Sequence, residues 1–252
     1  MTTITSPQNP KLQELRKLWR RRERERSQSF VAEGEDLIEA AALAGRKPLV
    51  GYRLAGSGIG GEGFIDVEPD ALASACTLAS GTRALAVYPQ RYAQAPTGPL
   101  CLYLHGLSDP GNVGAVLRSA HAFGVSSVAL GPNCADPHSP KAVRASMGAI
   151  FDVSMVRGEG VGEPPGIDLS RLPGRTVALA TREGLPLHEL DRDERPLTLL
   201  LGAEREGLPE QLLQACDLVA HIPIASESLN AAMAATVALY ELTRDASSRV
   251  RA

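Results

Sequence analysis

The sequence predicts an α/β protein in two parts, the second built on a parallel sheet covered on both faces. Two observations carry this. From residue 100 onward, near-continuous apolar runs alternate with helical stretches, the pattern of strands buried on both sides. Before that point, Gln90–Pro99 (QRYAQAPTGP) holds two prolines and little periodicity, as an inter-domain linker does. At 252 residues, 44% hydrophobic and 22% charged, the chain suits two small domains or one large one.

The first part opens on Ser6-Pro7 and Asn9-Pro10, followed by Leu12, Leu15, Leu18 and Trp19 at helical spacing. FVAEG (30–34) reads as a strand, DLIEAAALAG (36–45) as a helix closed by Gly45, and LVGYRLA (49–55) as a strand. GSGIGGEG (56–63) is a turn rather than a phosphate cradle, since no lysine or helix start follows in register. A helix over 69–80 and a strand over 84–90 complete the part. In the second part, strands are expected at 100–106, 125–130, 151–156, 175–181, 196–202 and 218–224. Helices are expected at about 112–123, 139–149, 208–215 and 228–245. The last is apolar on nearly every side, which predicts burial all round.

Composition excludes several classes. No apolar run approaches the ~20 residues that span a bilayer, and the N-terminus has no signal-peptide core. Cys76, Cys101, Cys134 and Cys216 are scattered with no CxxC, and the five histidines form no HExxH, so a cytoplasmic protein without a metal is expected. The net charge of −3 is uninformative, but residues 10–26 hold eight basic and three acidic side chains. Lys11, Arg16, Lys17, Arg20, Arg21 and Arg22 are candidate RNA-phosphate contacts. Glu23 and Glu25 equally suit a solvated helix laced with i,i+4 pairs, and Trp19 is more simply a core anchor than a base-stacking platform.

Three polar segments fall at carboxyl ends of expected strands, where ligands gather in such sheets. In Ser108-Asp109-Pro110-Gly111-Asn112-Val113-Gly114 the Pro-Gly pair forces a turn, and Asn112 sits where a helix N-cap belongs. Arg118 follows in a run otherwise small or apolar, without an acidic i,i+4 partner. In Leu201–Pro209 an apolar strand delivers Glu204 into a loop flanked by Gly202 and Gly207, where backbone groups can approach a flat ligand; Glu204 as a plain helix cap is the bland alternative. The third runs through Ile222-Pro223-Ile224 to Ser228-Leu229-Asn230, where Ser and Asn serve equally as capping residues.

In this order, NxGxxxR, GxExxG and IPI…ESLN resemble the three motifs of the SpoU/TrmH family, S-adenosylmethionine-dependent RNA ribose 2′-O-methyltransferases of the SPOUT class. The resemblance covers residues 100–245, and SPQNPKLQELRKL with FVAEGEDLIEAA is similar to the family's small substrate-binding domain. It implies an L30e-like RNA-binding domain over 1–93 and a knotted methyltransferase domain over 94–252. The trefoil knot is a feature that periodicity cannot predict and general rules disfavour. It further implies S-adenosylmethionine as cofactor, held by Leu201, Gly202, Glu204, Gly207, Ile222, Ile224, Leu229 and Asn230. Arg118, Asn112, Glu204, Ser228 and Asn230 become the catalytic set, with Arg118 gripping the phosphate beside the target ribose. Implied partners are RNA, ribosomal ahead of transfer RNA, and a second copy in a homodimer through the knotted domain. The chain departs from the family pattern at Ala232, where a serine is usual, and at Ala203, where asparagine is frequent. Two rivals are a nucleotide-dependent oxidoreductase, disfavoured because no GxGxxG follows the first strand of either half, and a non-catalytic RNA-binding relative acting in ribosome assembly.

Overall fold

The computed structural model describes residues 3–78, 81–157, 169–191 and 195–244. The ends of the helices expected over 69–80 and 228–245 lie outside the described residues. Two compact units emerge, Met1–Arg91 with Asp136–Asp152, and Tyr92–Ala135 with Val153–Ala252.

In the first unit, helix α1 (Pro10–Lys17) starts where Asn9 accepts from the Lys11 amide, with Pro10 in the first turn. It buries Leu12 and Leu15 in a core shared with Ile4, Val31, Tyr52, Val67 and Leu72. Trp19 is the core anchor: it packs against this cluster and donates from Nε1 to the Ala75 carbonyl at 3.0 Å. The basic stretch is not one helix, because α2 (Arg21–Ser27) is a separate segment closed by Gln28 at φ 49°. Strands β1 (Ser29–Glu33), β2 (Val50–Leu54), β3 (Phe64–Val67) and β4 (Ala84–Pro89) form a sheet in the order β1-β4-β2-β3. Helix α3 (Glu35–Leu43) follows β1 and α4 (Pro69–Ala73) follows β3. The strand β3 was not expected, and α4 is shorter than the 69–80 anticipated.

The first division between the units, after Arg91, lies two residues from the expected boundary, and a later segment returns to the first unit. The segment Asp136–Asp152, with helix α6 (Pro140–Ala145), belongs to the first unit. Asp136 Oδ2 accepts from Arg24 Nε at 3.0 Å and Nη2 at 2.7 Å, with both side chains almost wholly buried. Phe151 packs on Tyr88 and Phe30 at ring distances of 4.8 and 5.9 Å, and His138 packs on Phe30 at 4.7 Å.

The second unit carries the parallel sheet, as its continuous apolar strands predict. Strands β5 (Leu100–Leu104), β6 (Ser127–Leu130), β7 (Ser154–Arg157), β8 (Arg175–Ala180), β9 (Leu185–Pro186), β10 (Leu197–Leu201) and β11 (Leu218–His221) lie in the order β7-β6-β5-β10-β8-β11-β9. Every pairing is parallel. The chain steps outward from β5 to β7, restarts at β8, and then inserts β10 between β5 and β8. The crevice over the carboxyl ends of β5, β10 and β8 is therefore where a ligand belongs. The expected linker is partly pinned, since the Ala93 amide donates to Met155 and the Thr97 amide to Ser127 Oγ, each at 2.8 Å. Helices α5 (Pro110–Ala122), α7 (Glu210–Ala215) and α8 (Ala231–Thr243) complete the unit.

Helices α5 and α8 pack together, with Ser119 Oγ 2.7 Å from Thr236 Oγ1 and Phe123 edge-on to Tyr240. Helix α8 buries Ala231, Ala232, Ala235, Ala238 and Leu239. Against expectation it is not buried on every side. Met233, Val237 and Tyr240, spaced i, i+4, i+7, form an apolar stripe, with Met233 63% and Tyr240 58% exposed.

Candidate active site

The three polar segments converge in the second unit, and the local sequence explains how each is presented. Asp109, not Asn112, caps α5. Its Oδ1 accepts from the Gly111 amide at 2.6 Å and the Asn112 amide at 3.1 Å. This corrects the sequence reading and has a consequence: with the cap supplied by Asp109, the Asn112 side chain is released for other work.

That work is a hydrogen-bond chain whose direction is fixed by chemistry. Asn230 Oδ1 caps α8 by accepting from the Ala232 and Met233 amides at 2.9 and 3.3 Å. Its Nδ2 therefore donates, to Asn112 Oδ1 at 3.1 Å. Asn112 Nδ2 then donates to Glu204 Oε1. An amide whose oxygen is already an acceptor can only pass on a donor, so each asparagine's orientation is set by the bond before it. The chain ends on a carboxylate whose second oxygen has no partner among the described residues.

Two recesses meet at Glu204. The first is an apolar hollow between the loops after β8, β10 and β11. It is lined by Leu179, Leu201, Gly202, Glu204, Gly207, Ile222, Ile224, Ser228 and Leu229 among others. The second is a polar cleft of about 900 Å³ that includes His105, Asp109, Asn112, Asn133, Glu204 and Asn230. Of the expected cofactor residues, all but Asn230 line the hollow. Asn230 and Asn112 line the cleft, and Ser228 lines the hollow. Arg118 lines neither. It is exposed on α5 and makes no hydrogen bond or ion pair among the described residues.

The loop between the recesses is drawn tight by reciprocal backbone bonds, Ala203 N to Gly207 O at 3.1 Å and Gly207 N to Ala203 O at 2.9 Å. A Cβ on Gly202 would stand 2.1 Å from the Gly207 carbonyl carbon, so only glycine lets the two strands of the loop meet. Gly202→Ala is accordingly expected to lower cofactor affinity at least about a hundredfold, read by calorimetry, with the far-UV spectrum unchanged. Affinity within threefold of the parent would contradict this reading of the loop.

His105 is a cleft residue that the sequence reading passed over. Burial lowers its imidazole below the ordinary histidine value. The only signal available beforehand was its place immediately after an apolar strand. The basic stretch of the first unit is narrower than its composition suggested. Arg16 is committed to the Pro7 carbonyl and Ser74, Lys17 pairs with Glu14, and Arg21 with Glu25. Lys11, Arg20 and Arg22 are exposed.

The hollow's chemistry selects its ligand. Apolar walls and a close backbone suit the faces and edge of a purine. Among the described residues no lysine or arginine lines it, and the charged group they present there is the Glu204 carboxylate. A phosphate-bearing nucleotide would meet no counter-charge there, whereas a nucleoside carrying a cation would. S-adenosylmethionine, an adenosine bearing a sulfonium, meets these requirements.

A parallel sheet with an apolar hollow and an adjoining polar cleft at its carboxyl ends suits an enzyme that holds a nucleoside cofactor beside a polar substrate. The chain belongs to the SpoU rRNA Methylase family, whose profile matches residues 99–240. A second profile, the MRM3-like substrate binding domain, matches residues 9–50. The chain is 29% identical, over 96% of its length and 99% of the relative's, to the 23S rRNA (guanosine(2553)-2′-O)-methyltransferase RlmP of Bacillus subtilis (strain 168). The AdoMet-bound rRNA methyltransferase from Sinorhizobium meliloti superposes with a TM-score of 0.85 at 28% identity, covering 97% of this chain and 98% of that one. The AdoMet complex of AviRb from Streptomyces viridochromogenes gives 0.82 at 26% identity, covering 96% and 99%. The protein is thus an S-adenosylmethionine-dependent RNA ribose 2′-O-methyltransferase, the class that its three motifs predict.

Proposed function

We propose that the protein methylates a ribose 2′-hydroxyl of ribosomal RNA, and that it works as a homodimer in which each cleft receives Arg118 from the second copy. The observation that carries the assignment of roles is the directed chain from Asn230 through Asn112 to Glu204, ending on a carboxylate shared by hollow and cleft. When bound in the hollow, S-adenosylmethionine supplies an activated methyl group on a sulfonium, so the residues here need only orient the hydroxyl and take its proton. Held by Asn112, Glu204 offers its second oxygen to the 2′-hydroxyl. As the 2′-oxygen forms its bond to the methyl carbon and the carbon–sulfur bond breaks, the hydroxyl proton grows acidic and passes to the carboxylate, whereas an arginine stays charged and cannot take it. Arg118 instead binds the phosphate beside the target ribose. Ser228 and Asn230 set the start of α8 and with it the wall formed by Leu229.

Support for the dimer comes from the unpartnered face of α8, where Met233, Val237 and Tyr240 stand exposed, an arrangement suited to an isologous contact. Residues 1–93 are proposed as the RNA-binding domain, in line with the profile matched over 9–50, with Lys11, Arg20 and Arg22 on the phosphates. Ribosomal RNA is favoured because the full-length relative RlmP is named for it, and the cytoplasm follows as the place of action. No described helix is long and apolar enough to cross a membrane, and the described residues hold no cluster of metal-ligating type. The test is transfer of labelled methyl from S-adenosylmethionine to separate pools of unmodified ribosomal and transfer RNA. Label in alkali-resistant dinucleotides of the ribosomal pool is expected. Label in the transfer RNA pool alone would overturn the substrate assignment, and alkali-labile label would overturn the site.

A further inference from the structure

Among the side chains of the polar cleft that the proposed chemistry leaves unused is His105. His105 directly follows β5, and its backbone amide donates to the Leu201 carbonyl at 2.8 Å, which fixes it beside the loop that carries Glu204. His105 lines the cleft with Asn112, Glu204 and Asn230. Behind it lies Tyr103, wholly buried in the core of the second unit, whose hydroxyl is 3.5 Å from His105 Nδ1.

This pairing decides which nitrogen of the imidazole carries the proton. Tyr103 keeps its phenolic proton, because burial raises its pKa well above the ordinary tyrosine value. A buried O–H needs an acceptor, and the imidazole nitrogen is the partner that the described structure gives it. Were Nδ1 protonated, the phenol proton would lose this partner, at a cost of about 1–3 kcal/mol. Nδ1 is therefore the acceptor, and the neutral ring carries its own proton on Nε2. In that tautomer His105 cannot serve as a base, since one nitrogen is occupied by Tyr103 and the other is already protonated. It is a fixed, uncharged donor.

The cleft's charge says what this donor meets. Its lining carries Asp109, Glu204 and Glu206 against Arg205, a local excess of negative charge that disfavours a phosphate held there without an added cation. We infer that His105 is a positioning residue that donates from Nε2 to an acceptor on the base of the target nucleotide, a carbonyl oxygen or ring nitrogen, and so sets the ribose against Glu204. The inference rests on the cleft being the seat of the target nucleotide.

Two variants of the full-length enzyme separate the donor from the bulk. His105→Phe keeps a ring and loses the donor, while His105→Gln returns an N–H close to the Nε2 position. The Phe variant is expected to raise KM for the ribosomal RNA substrate about tenfold or more, with kcat within threefold and S-adenosylmethionine affinity unchanged. The Gln variant should recover KM to within threefold. On an RNA with an abasic ribose at the methylated position, wild type and the Phe variant should have equal KM. Nitrogen-15 spectra of the imidazole, assigned through the Gln variant, should show the Nε2–H form, and its signal should move on adding the RNA. An unchanged KM in the Phe variant, equal damage in both variants, a difference that persists on the abasic RNA, or an Nδ1–H spectrum would each overturn the inference. Should the wild-type protein methylate no RNA, the reading of the site falls. The spectrum then judges His105 separately, and an Nε2 signal unmoved by RNA counts against it.

Discussion

Heterodimers that pair an Arg118→Ala chain with a Glu204→Ala chain are expected to recover about half of the wild-type turnover, although each variant alone is silent. The geometry of α5 is the reason. Arg118 lies six residues beyond Asn112 on one helix, which places it about 9 Å further along the axis and about 120° around it. Asn112 faces the cleft and bonds Glu204, so Arg118 of the same chain points elsewhere, and it is exposed. If both act on one nucleotide, as proposed, the arginine is supplied by a second copy. In the mixed dimer, one site then combines an intact Glu204 with an intact Arg118, and the other carries both lesions. Co-expression with two affinity tags isolates this species for assay of methyl transfer. A silent heterodimer would mean that both residues serve the same chain's site, and shared-site catalysis would be abandoned. The Arg118→Ala homodimer should still bind S-adenosylmethionine to within a few-fold, because Arg118 does not line the hollow.

The contrast between Asn112 and Arg118 marks how far the sequence could be read. Both belong to one motif, and the motif identifies the family without saying whether its members share a site within one chain. The parallel sheet was legible because strands buried on both faces need unbroken apolar runs, as in LTLLL over Leu197–Leu201. The hollow was legible because Gly202 and Gly207 flank the charged run Glu204-Arg205-Glu206 at the end of an apolar strand. What escaped has identifiable causes. The assignment of the α5 cap to Asn112 failed by one turn, since Asp109 and Asn112 are both good caps and the preceding Pro110 fits the first turn of the helix. The exposed stripe of α8 escaped because Met233, Val237 and Tyr240 are apolar, and hydropathy does not distinguish a core from a contact with a second molecule. His105 escaped because its significance lies in Tyr103, two residues back on the same strand and invisible as a partner until the bend after β5 is known. The excursion Asp136–Asp152 escaped for the most general reason. Its tie to the first unit is a long-range pair between Arg24 and Asp136, and periodicity carries no information about contacts between residues so far apart in the chain.

That pair also gives the largest stability effect expected in the first unit. Asp136→Ala should lower stability by about 3–5 kcal/mol, read as a fall in the melting midpoint of about 6–20 °C for a chain of this size. Arg24 is 3% exposed and spends its donors on Asp136 and on the Leu18 and Trp19 carbonyls at 2.9 and 3.0 Å. Removing the carboxylate leaves a guanidinium buried without a counter-charge and unable to reach water without breaking those bonds. It also frees the His138 amide, which donates to Asp136 Oδ1 at 2.9 Å. The cost thus comes from the orphaned partner rather than from the attraction lost, and a second variant separates the two. Replacing both residues with apolar ones, Arg24→Met with Asp136→Leu, should fall within about 2 kcal/mol of the parent, since a buried pair and a well-packed apolar contact are nearly equivalent. Urea melts of the three proteins decide the matter. A loss below about 1 kcal/mol in Asp136→Ala would mean that the aromatic contacts of Phe30, Tyr88 and Phe151 hold the excursion by themselves. S-adenosylmethionine affinity should be unmoved throughout, because every residue of the hollow belongs to the other unit.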